Sequence, residues 1–125
     1  MPTRERVDAF VSAVQHRPHV DVIEDFYHHN ASMQENLNPA REGKEALLTF
    51  ESEASKNLKQ MDSYPPKAVL VDGDRVTIHW VFELVDPAGQ RRRLEEVALQ
   101  KWQGDKIEEE RFFYDSAKAW QPVQD

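Results

Sequence analysis

The sequence predicts an α+β domain in which one antiparallel sheet curves around the helices that precede it. Three observations carry this reading: apolar residues recur with helical spacing up to about residue 58, the period changes from about 3.6 to 2 after Pro66, and no composition break or internal repeat divides the 125 residues. A chain of this length buries roughly two thirds of its unfolded surface, enough for a single domain without a metal or disulfide staple.

Thr3 is placed to cap a first helix whose apolar stripe is Val7, Phe10, Val11 and Val14. Pro18 breaks it. A second short helix is expected to bury Val22, Ile23, Phe26 and Tyr27 and to turn Glu24 and Asp25 outward, with Asn30 at its end. A first strand, 31–37, follows. The turn Asn38-Pro39 and Gly43 then lead into a third helix, expected to be the longest, with Leu47, Phe50, Ala54 and Leu58 on one face. Strands are predicted at 67–72, 75–85, 92–102 and 106–115, joined by hairpin turns at Asp72-Gly73-Asp74, Asp86-Pro87-Ala88-Gly89 and Gln103-Gly104-Asp105. A few loose residues are expected at each end.

In the strand 75–85 the set Val76, Ile78, Trp80, Phe82 and Leu84 is uniformly apolar and looks inward, whereas Arg75, Thr77, His79 and Glu83 alternate with it. The next two strands mix charge with apolar groups on both faces. Leu94, Glu96, Ala98, Gln100 and Trp102 oppose Glu95, Val97, Leu99 and Lys101, while Glu108, Glu110, Phe112 and Tyr114 oppose Ile107, Glu109, Arg111 and Phe113. Two mixed faces on neighbouring strands point to a polar-lined pocket inside and a partly covered outer surface, so a homodimer through the outer face of the sheet is expected.

The formal charge of −7 disfavours phosphate backbones, and the one basic cluster, Arg91-Arg92-Arg93, sits beside a turn without interleaved aromatics, so nucleic acid is not an expected partner. No apolar run reaches the roughly 20 residues of a membrane span, and the N-terminus lacks a signal-peptide stretch, which leads to the expectation of a soluble, cytoplasmic protein with no membrane partner. Cysteine is absent, which removes disulfides and thiolate chemistry. His28 and His29 follow Glu24 and Asp25 at helical spacing, but capping of a helix end outweighs metal ligation, since zinc wants three or four converging ligands. His16 and His19 flank Pro18 and read as solvated loop residues. Ser32, Ser52, Ser55 and Ser63 have no neighbouring His and acid pattern, and there is no glycine-rich phosphate loop, so neither a nucleophilic serine nor a nucleotide is expected. No metal and no cofactor is assigned.

The order of elements, the segment Met33-Gln34-Glu35-Asn36-Leu37-Asn38-Pro39-Ala40-Arg41-Glu42-Gly43 and the closing run from Gly104 to Asp115 resemble the nuclear transport factor 2-like superfamily, specifically its SnoaL-like branch, over nearly the whole chain. The resemblance implies a cone-shaped α+β barrel, a strongly curved antiparallel or mixed sheet wrapped around three N-terminal helices, with a deep pocket and commonly a homodimer. Its members include isomerases, cyclases, hydrolases, dehydratases and binding modules, so the fold alone does not choose a chemistry.

Laid on the ketosteroid isomerase pattern, Glu35 stands at the position of the general base, Phe10 at that of a tyrosine donor and Ala98 at that of a second acid. Loss of one oxyanion donor costs on the order of 100-fold or more, so this chain does not run that isomerisation in the same way. Laid on limonene epoxide hydrolase, Met33-Gln34-Glu35 matches its Tyr-Gln-Asn, while its catalytic Asp, Arg and Asp fall on Phe112, Trp80 and Phe82. SnoaL-type cyclases carry an acid where Phe112 stands and often a histidine where Glu110 stands.

These comparisons converge on one inward set: Met33, Glu35, Trp80, Phe82 and Glu96, with Ala98, Gln100, Glu110, Phe112 and Tyr114. Phe10 and Tyr27 from the helices join it as substrate-binding residues. Carboxylates crowded in a dry pocket raise one another's pKa, giving an acid and a base of one residue type for proton transfer on a small, apolar or aromatic organic molecule. In this reading Glu35 is the base, Glu96 or Glu110 the protonated partner and Tyr114 a hydrogen-bond donor, in an isomerase, cyclase or lyase; a binding or dimerisation module without catalysis is the alternative. Equally open is a purely structural role, with Glu96 and Glu110 paired to Arg92, Arg93 or Arg111 and Glu35 bonded to backbone amides.

Overall fold

A computed structural model describes residues 1–124. Three helices, α1 (Arg4–His16), α2 (His19–Phe26) and α3 (Lys44–Ser55), cover one face of a curved mixed sheet. Its strands are β1 (Tyr27–Glu35), β2 (Arg41–Glu42), β3 (Gln60–Ser63), β4 (Ala68–Asp72), β5 (Arg75–Val85), β6 (Arg91–Gln103), β7 (Lys106–Phe113) and β8 (Gln121–Pro122). The spatial order is β2-β1-β7-β6-β5-β3, with β4 also on β5 and β8 on β6. Among the described strands only β1 and β7 run parallel. The cone is therefore open, with free edges at β2 and at β3 and β4.

The Thr3 hydroxyl accepts a hydrogen bond from Arg6 N–H at 3.0 Å, which starts α1 as expected. Val7, Phe10, Ala13 and Val14 of α1 and Val22, Ile23 and Phe26 of α2 are buried against Val76, Ile78, Trp102 and Ile107 of the sheet. Phe10 meets Phe26, Tyr27 and Trp102 edge-on at centroid distances of 5.4, 6.3 and 5.9 Å, the arrangement that the ring quadrupoles favour.

Several boundaries differ from expectation, each for a local reason. Tyr27 is the first residue of β1, not the end of α2, so His28, His29 and Asn30 are strand residues and the histidines cap no helix. The long β5–β6–β7 sheet recruits this segment as a parallel strand, and Leu37, placed in the strand by alternation, is exposed. α1, at 13 residues, is longer than α3, at 12, because α3 stops at Ser55 before Leu58. Only Leu47 of the α3 stripe is buried; Phe50 is exposed because that face looks into a hollow rather than a core. Gly43, at φ +91° ahead of α3, adopts a conformation that residues with a Cβ rarely take.

Three short strands were not expected. Arg41 pairs with Met33 to make β2. β3 and β4 lie end to end along one edge of β5, interrupted by Pro65 and Pro66, which have no N–H to donate. Near the C-terminus the described residues are not loose, since Gln121 and Pro122 pair with Arg93 and Arg92 and Trp120 packs on the core, while Asp125 lies outside the described residues.

The alternation of β6 resolves cleanly: Leu94, Glu96, Ala98, Gln100 and Trp102 face inward and are buried. In β7 a bulge intervenes. Trp102 pairs with Ile107 and Lys101 with Glu109, leaving Glu108 as an extra residue, so Ile107 and Glu110 both face inward although they are an odd number of residues apart. Glu83, on the outer set of β5, is nonetheless buried beneath Arg91 and Arg93, and the Arg93 hydrogen bond holds its pKa below the usual range. Arg92 pairs with Asp86. Arg111 Nε donates to the Asn36 carbonyl at 2.9 Å. All of these arginines are thus engaged away from Glu96 and Glu110, and the expected cross-strand ladder of those two acids does not form.

Candidate functional site

Between the helices and the inner sheet face lies a cavity of about 560 Å³. The sheet brings its residues together in registered rows. Met33, Glu110 and Gln100 lie side by side on β1, β7 and β6, Glu35, Phe112 and Ala98 form the next row, and Glu96 stands opposite Trp80. Glu35, Glu96, Glu110 and Tyr114 all line the cavity, as do Phe10, Tyr27, Met33, Trp80, Phe82 and Phe112. Ala98 and Gln100 do not; both are fully buried in the sheet behind the lining. Trp80 and Phe82 stack at 5.4 Å between ring centroids and form a flat aromatic wall.

The three carboxylates are in different electrostatic situations. Glu110 is buried at the end of a hydrogen-bonded chain: the Trp102 indole N–H donates to Gln100 Oε1 at 2.9 Å, Gln100 Nε2 donates to Glu110 Oε2 at 2.7 Å, and the Tyr27 hydroxyl donates to Glu110 Oε1. Burial pushes its pKa up to about 7, while the donors Tyr27 and Gln100 pull against that rise. Tyr27, desolvated and beside this acid, is held well above the usual tyrosine value.

Glu96 is 7 % exposed and has no hydrogen bond or ion pair among the described residues. Burial, and then the charges of Glu110 and Glu35, push its pKa up to about 8. Of two neighbouring acids, the one without donors keeps the proton. Glu96 accordingly holds its proton more tightly than Glu110 does.

Glu35 is neither dry nor alone. Its side chain is 25 % exposed and forms an ion pair with Arg41, contributed by β2. The Arg41 guanidinium also stacks on Phe50, its Cζ 3.4 Å from the ring centroid. The expectation of three acids in one water-poor cage thus holds for two of them. Arg41 went unrecognised because the segment 38–43 read as a turn into a helix; the hairpin that pairs Arg41 with Met33 is what carries it back to Glu35. Tyr114 lies just past β7, where burial raises its pKa and the charges of Glu35 and Glu96 add to the effect.

His19 is not the solvated loop residue that its place beside Pro18 suggests. It belongs to α2, is partly buried, and lines the cavity against Phe82, with ring centroids 5.9 Å apart. A signal was present, since His19 precedes Val22, Ile23 and Phe26 by three, four and seven residues and so lies on their buried stripe. His19 Nδ1 is 3.5 Å from Glu51 Oε1, and His19 Nε2 is 3.3 Å from Ser63 Oγ. Ser63 therefore does have a histidine beside it, and that histidine an acid on its other side, the three drawn from separate elements.

No cluster of three or more His, Cys, Asp or Glu side chains able to hold a metal ion occurs among the described residues. None of the described helices is long and apolar enough to cross a membrane.

The model of the SnoaL-like domain family matches residues 7–110. Among solved structures, a protein of Mesorhizobium loti described as a SnoaL-like polyketide cyclase is similar at 24 % identity, covering 89 % of this chain and 97 % of its own, with a TM-score of 0.73. SalBIII, an epoxide hydrolase/cyclase-like enzyme of pyran ring formation in the polyether salinomycin, is 21 % identical over 94 % of this chain and 95 % of its own, with a TM-score of 0.76. An LEH-like epoxide hydrolase of M. tuberculosis is 14 % identical over 92 % and 84 %, with a TM-score of 0.75. No curated protein matches the chain by sequence.

Proposed function

The chain belongs to the SnoaL-like domain family, and from that premise we propose that it is a small-molecule pocket protein with acid–base isomerase, cyclase or lyase activity on an apolar or aromatic organic substrate. The observation that carries the proposal is the pairing, in one aromatic-walled cavity, of a buried carboxyl without a partner, Glu96, and a second carboxylate, Glu35, whose charge Arg41 balances. Glu35 removes a proton from a carbon acid, and Glu96 gives one to the oxygen on which charge develops, with Tyr114 a further donor to that oxygen. Glu110, already bonded by Tyr27 and Gln100, positions the wall. The chemistry is derived from side chains alone and calls on no cofactor.

The test needs only a generic carbon acid. With 2-tetralone in D₂O, proton NMR is expected to record catalysed exchange of the α-protons, reduced about 100-fold or more in Glu35→Gln and about 10- to 100-fold in Glu96→Gln, the usual range for general acid–base groups. Exchange that survives unchanged in a folded Glu35→Gln variant would remove the base from the mechanism. The Glu35–Arg41 ion pair favours a second reading, a binding module, because a carboxylate oxygen already engaged by a guanidinium is less free to reach a substrate proton. Quenching of tryptophan fluorescence by the ketone with no exchange at any pH would support that reading instead.

The proposal includes a cytoplasmic location and a homodimer through the outer sheet face. Support for the dimer comes from adjoining outer rows that hold Leu70, Thr77 and Leu99, then His79, Val97 and Phe113; Leu70, Leu99 and Phe113 are exposed.

A further inference from the structure

We propose that Ser63, His19 and Glu51 form a second chemical centre on the side of the cavity built by α2, α3 and β3, an acyl-transfer triad that hydrolyses small apolar esters. The three side chains come from separate elements yet stand in the order such chemistry requires: hydroxyl, imidazole, carboxylate. His19 Nε2 lies 3.3 Å from Ser63 Oγ, and His19 Nδ1 lies 3.5 Å from Glu51 Oε1, distances of the kind found in unliganded triads that tighten on substrate binding. In the tautomer protonated at Nδ1, the nitrogen on the Glu51 side, the Nε2 lone pair is left to accept the serine proton and makes imidazole a base toward Oγ.

The placement favours chemistry over an incidental contact. All three residues line the cavity, and His19 and Glu51 are each only about a quarter exposed, at 23 % and 24 % of their side chains. The Phe82 ring, edge-on at 5.9 Å, restricts the imidazole. Ser63 is fixed at the end of β3, paired with Phe82. Met61 and Leu58 lie nearby along the lining and offer apolar surface to an acyl chain or an aryl leaving group.

In the reaction, Ser63 Oγ forms a bond to the ester carbonyl carbon while its proton passes to His19 Nε2, and Glu51 stabilises the imidazolium. Collapse breaks the bond to the leaving alcohol, which takes that proton. Water then attacks the acyl-serine with His19 again accepting a proton and returning it to Ser63 Oγ, which releases the carboxylic acid and restores the enzyme.

The proposal does not depend on Glu35 or Glu96, so its test is separate from that of the proton-transfer reading. With p-nitrophenyl butyrate, Ser63→Ala, His19→Gln and Glu51→Gln are expected to lose at least 10-fold in p-nitrophenol release, whereas Ser52→Ala, on the exposed side of α3, matches the parent. Paraoxon, diethyl p-nitrophenyl phosphate, is expected to leave a diethylphosphoryl group on Ser63 in the tryptic peptide 60–67 of the unaltered protein, with fragmentation separating Ser63 from Tyr64. The labelling needs no variant, so a folding failure in Ser63→Ala leaves the question decidable. Ester hydrolysis undiminished by Ser63→Ala, or label found elsewhere than Ser63, would overturn the assignment.

Discussion

Replacing Glu96 by glutamine is expected to leave the protein nearly unchanged in acid and to stabilise it strongly in base. The amide has nearly the shape of the protonated acid and cannot ionise. In the fold the Glu96 carboxyl has its pKa raised from an ordinary 4.5 to about 8, so between those values the folded state holds a proton that the unfolded chain has lost. Stability therefore falls with rising pH across that window: the contribution of Glu96 is fully present below about pH 4.5 and is lost as pH passes 8. At about 1.36 kcal/mol for each tenfold change in acidity, the whole window corresponds to about 5 kcal/mol, a large part of the 5–15 kcal/mol by which domains are stable.

The cost to the parent is about 1 kcal/mol at pH 5 and about 5 at pH 9. Any fixed effect of the amide, such as an unbonded N–H, is the same at both values and drops out of the comparison. The assay is urea unfolding of parent and Glu96→Gln across this range. With a slope near 2 kcal/mol/M, the difference between their midpoints is expected to widen by about 2 M from pH 5 to pH 9. Parallel stability profiles for the two proteins would refute the placement of an unpartnered acid in a desolvated site.

Two further outcomes follow from the same geometry. Gln100→Leu leaves Trp102 Nε1 and Glu110 Oε2 without their partners and is expected to cost about 2–4 kcal/mol by chemical denaturation; since Gln100 holds the Glu110 pKa down, the loss is greater at pH 9 than at pH 5. Leu99→Glu places a charge at the centre of the outer apolar face and is expected to convert a dimer to monomer in sedimentation equilibrium without loss of fold, and a parent that sediments as a monomer would end the dimer proposal.

The sheet side of the site was legible because a strand's alternation is local. The run from Val76 to Leu84 declares its inward face within nine residues, and Glu96 and Glu110 follow once β6 and β7 are seen to pair with it. What alternation cannot supply is partner identity. Three carboxylates look alike in sequence, yet Arg41 reaches Glu35 through a two-residue strand, Tyr27 and Gln100 reach Glu110 across three strands, and nothing among the described residues reaches Glu96. The Glu108 bulge was also invisible, since a single extra residue leaves no mark on composition while reversing the facing of everything before it. The helix side was harder still. The α3 stripe reads as core by period, but Phe50, Ala54 and Leu58 line a hollow, and period alone does not separate a packed face from a cavity wall.

The division of labour among the three acids has a physical origin that their common residue type hides. Buried carboxylates this close cannot all be charged, so the fold settles which one is neutral by the donors it provides. Two donors at Glu110 offset part of its desolvation, a guanidinium balances Glu35, and the remaining cost falls on Glu96, which avoids it by keeping its proton. Deleting a donor elsewhere therefore redistributes the proton rather than simply weakening one bond. The proton available to a ligand is set by Tyr27, Gln100 and Arg41 as much as by Glu96 itself, and these are positions at which a search for acids and bases alone would find nothing.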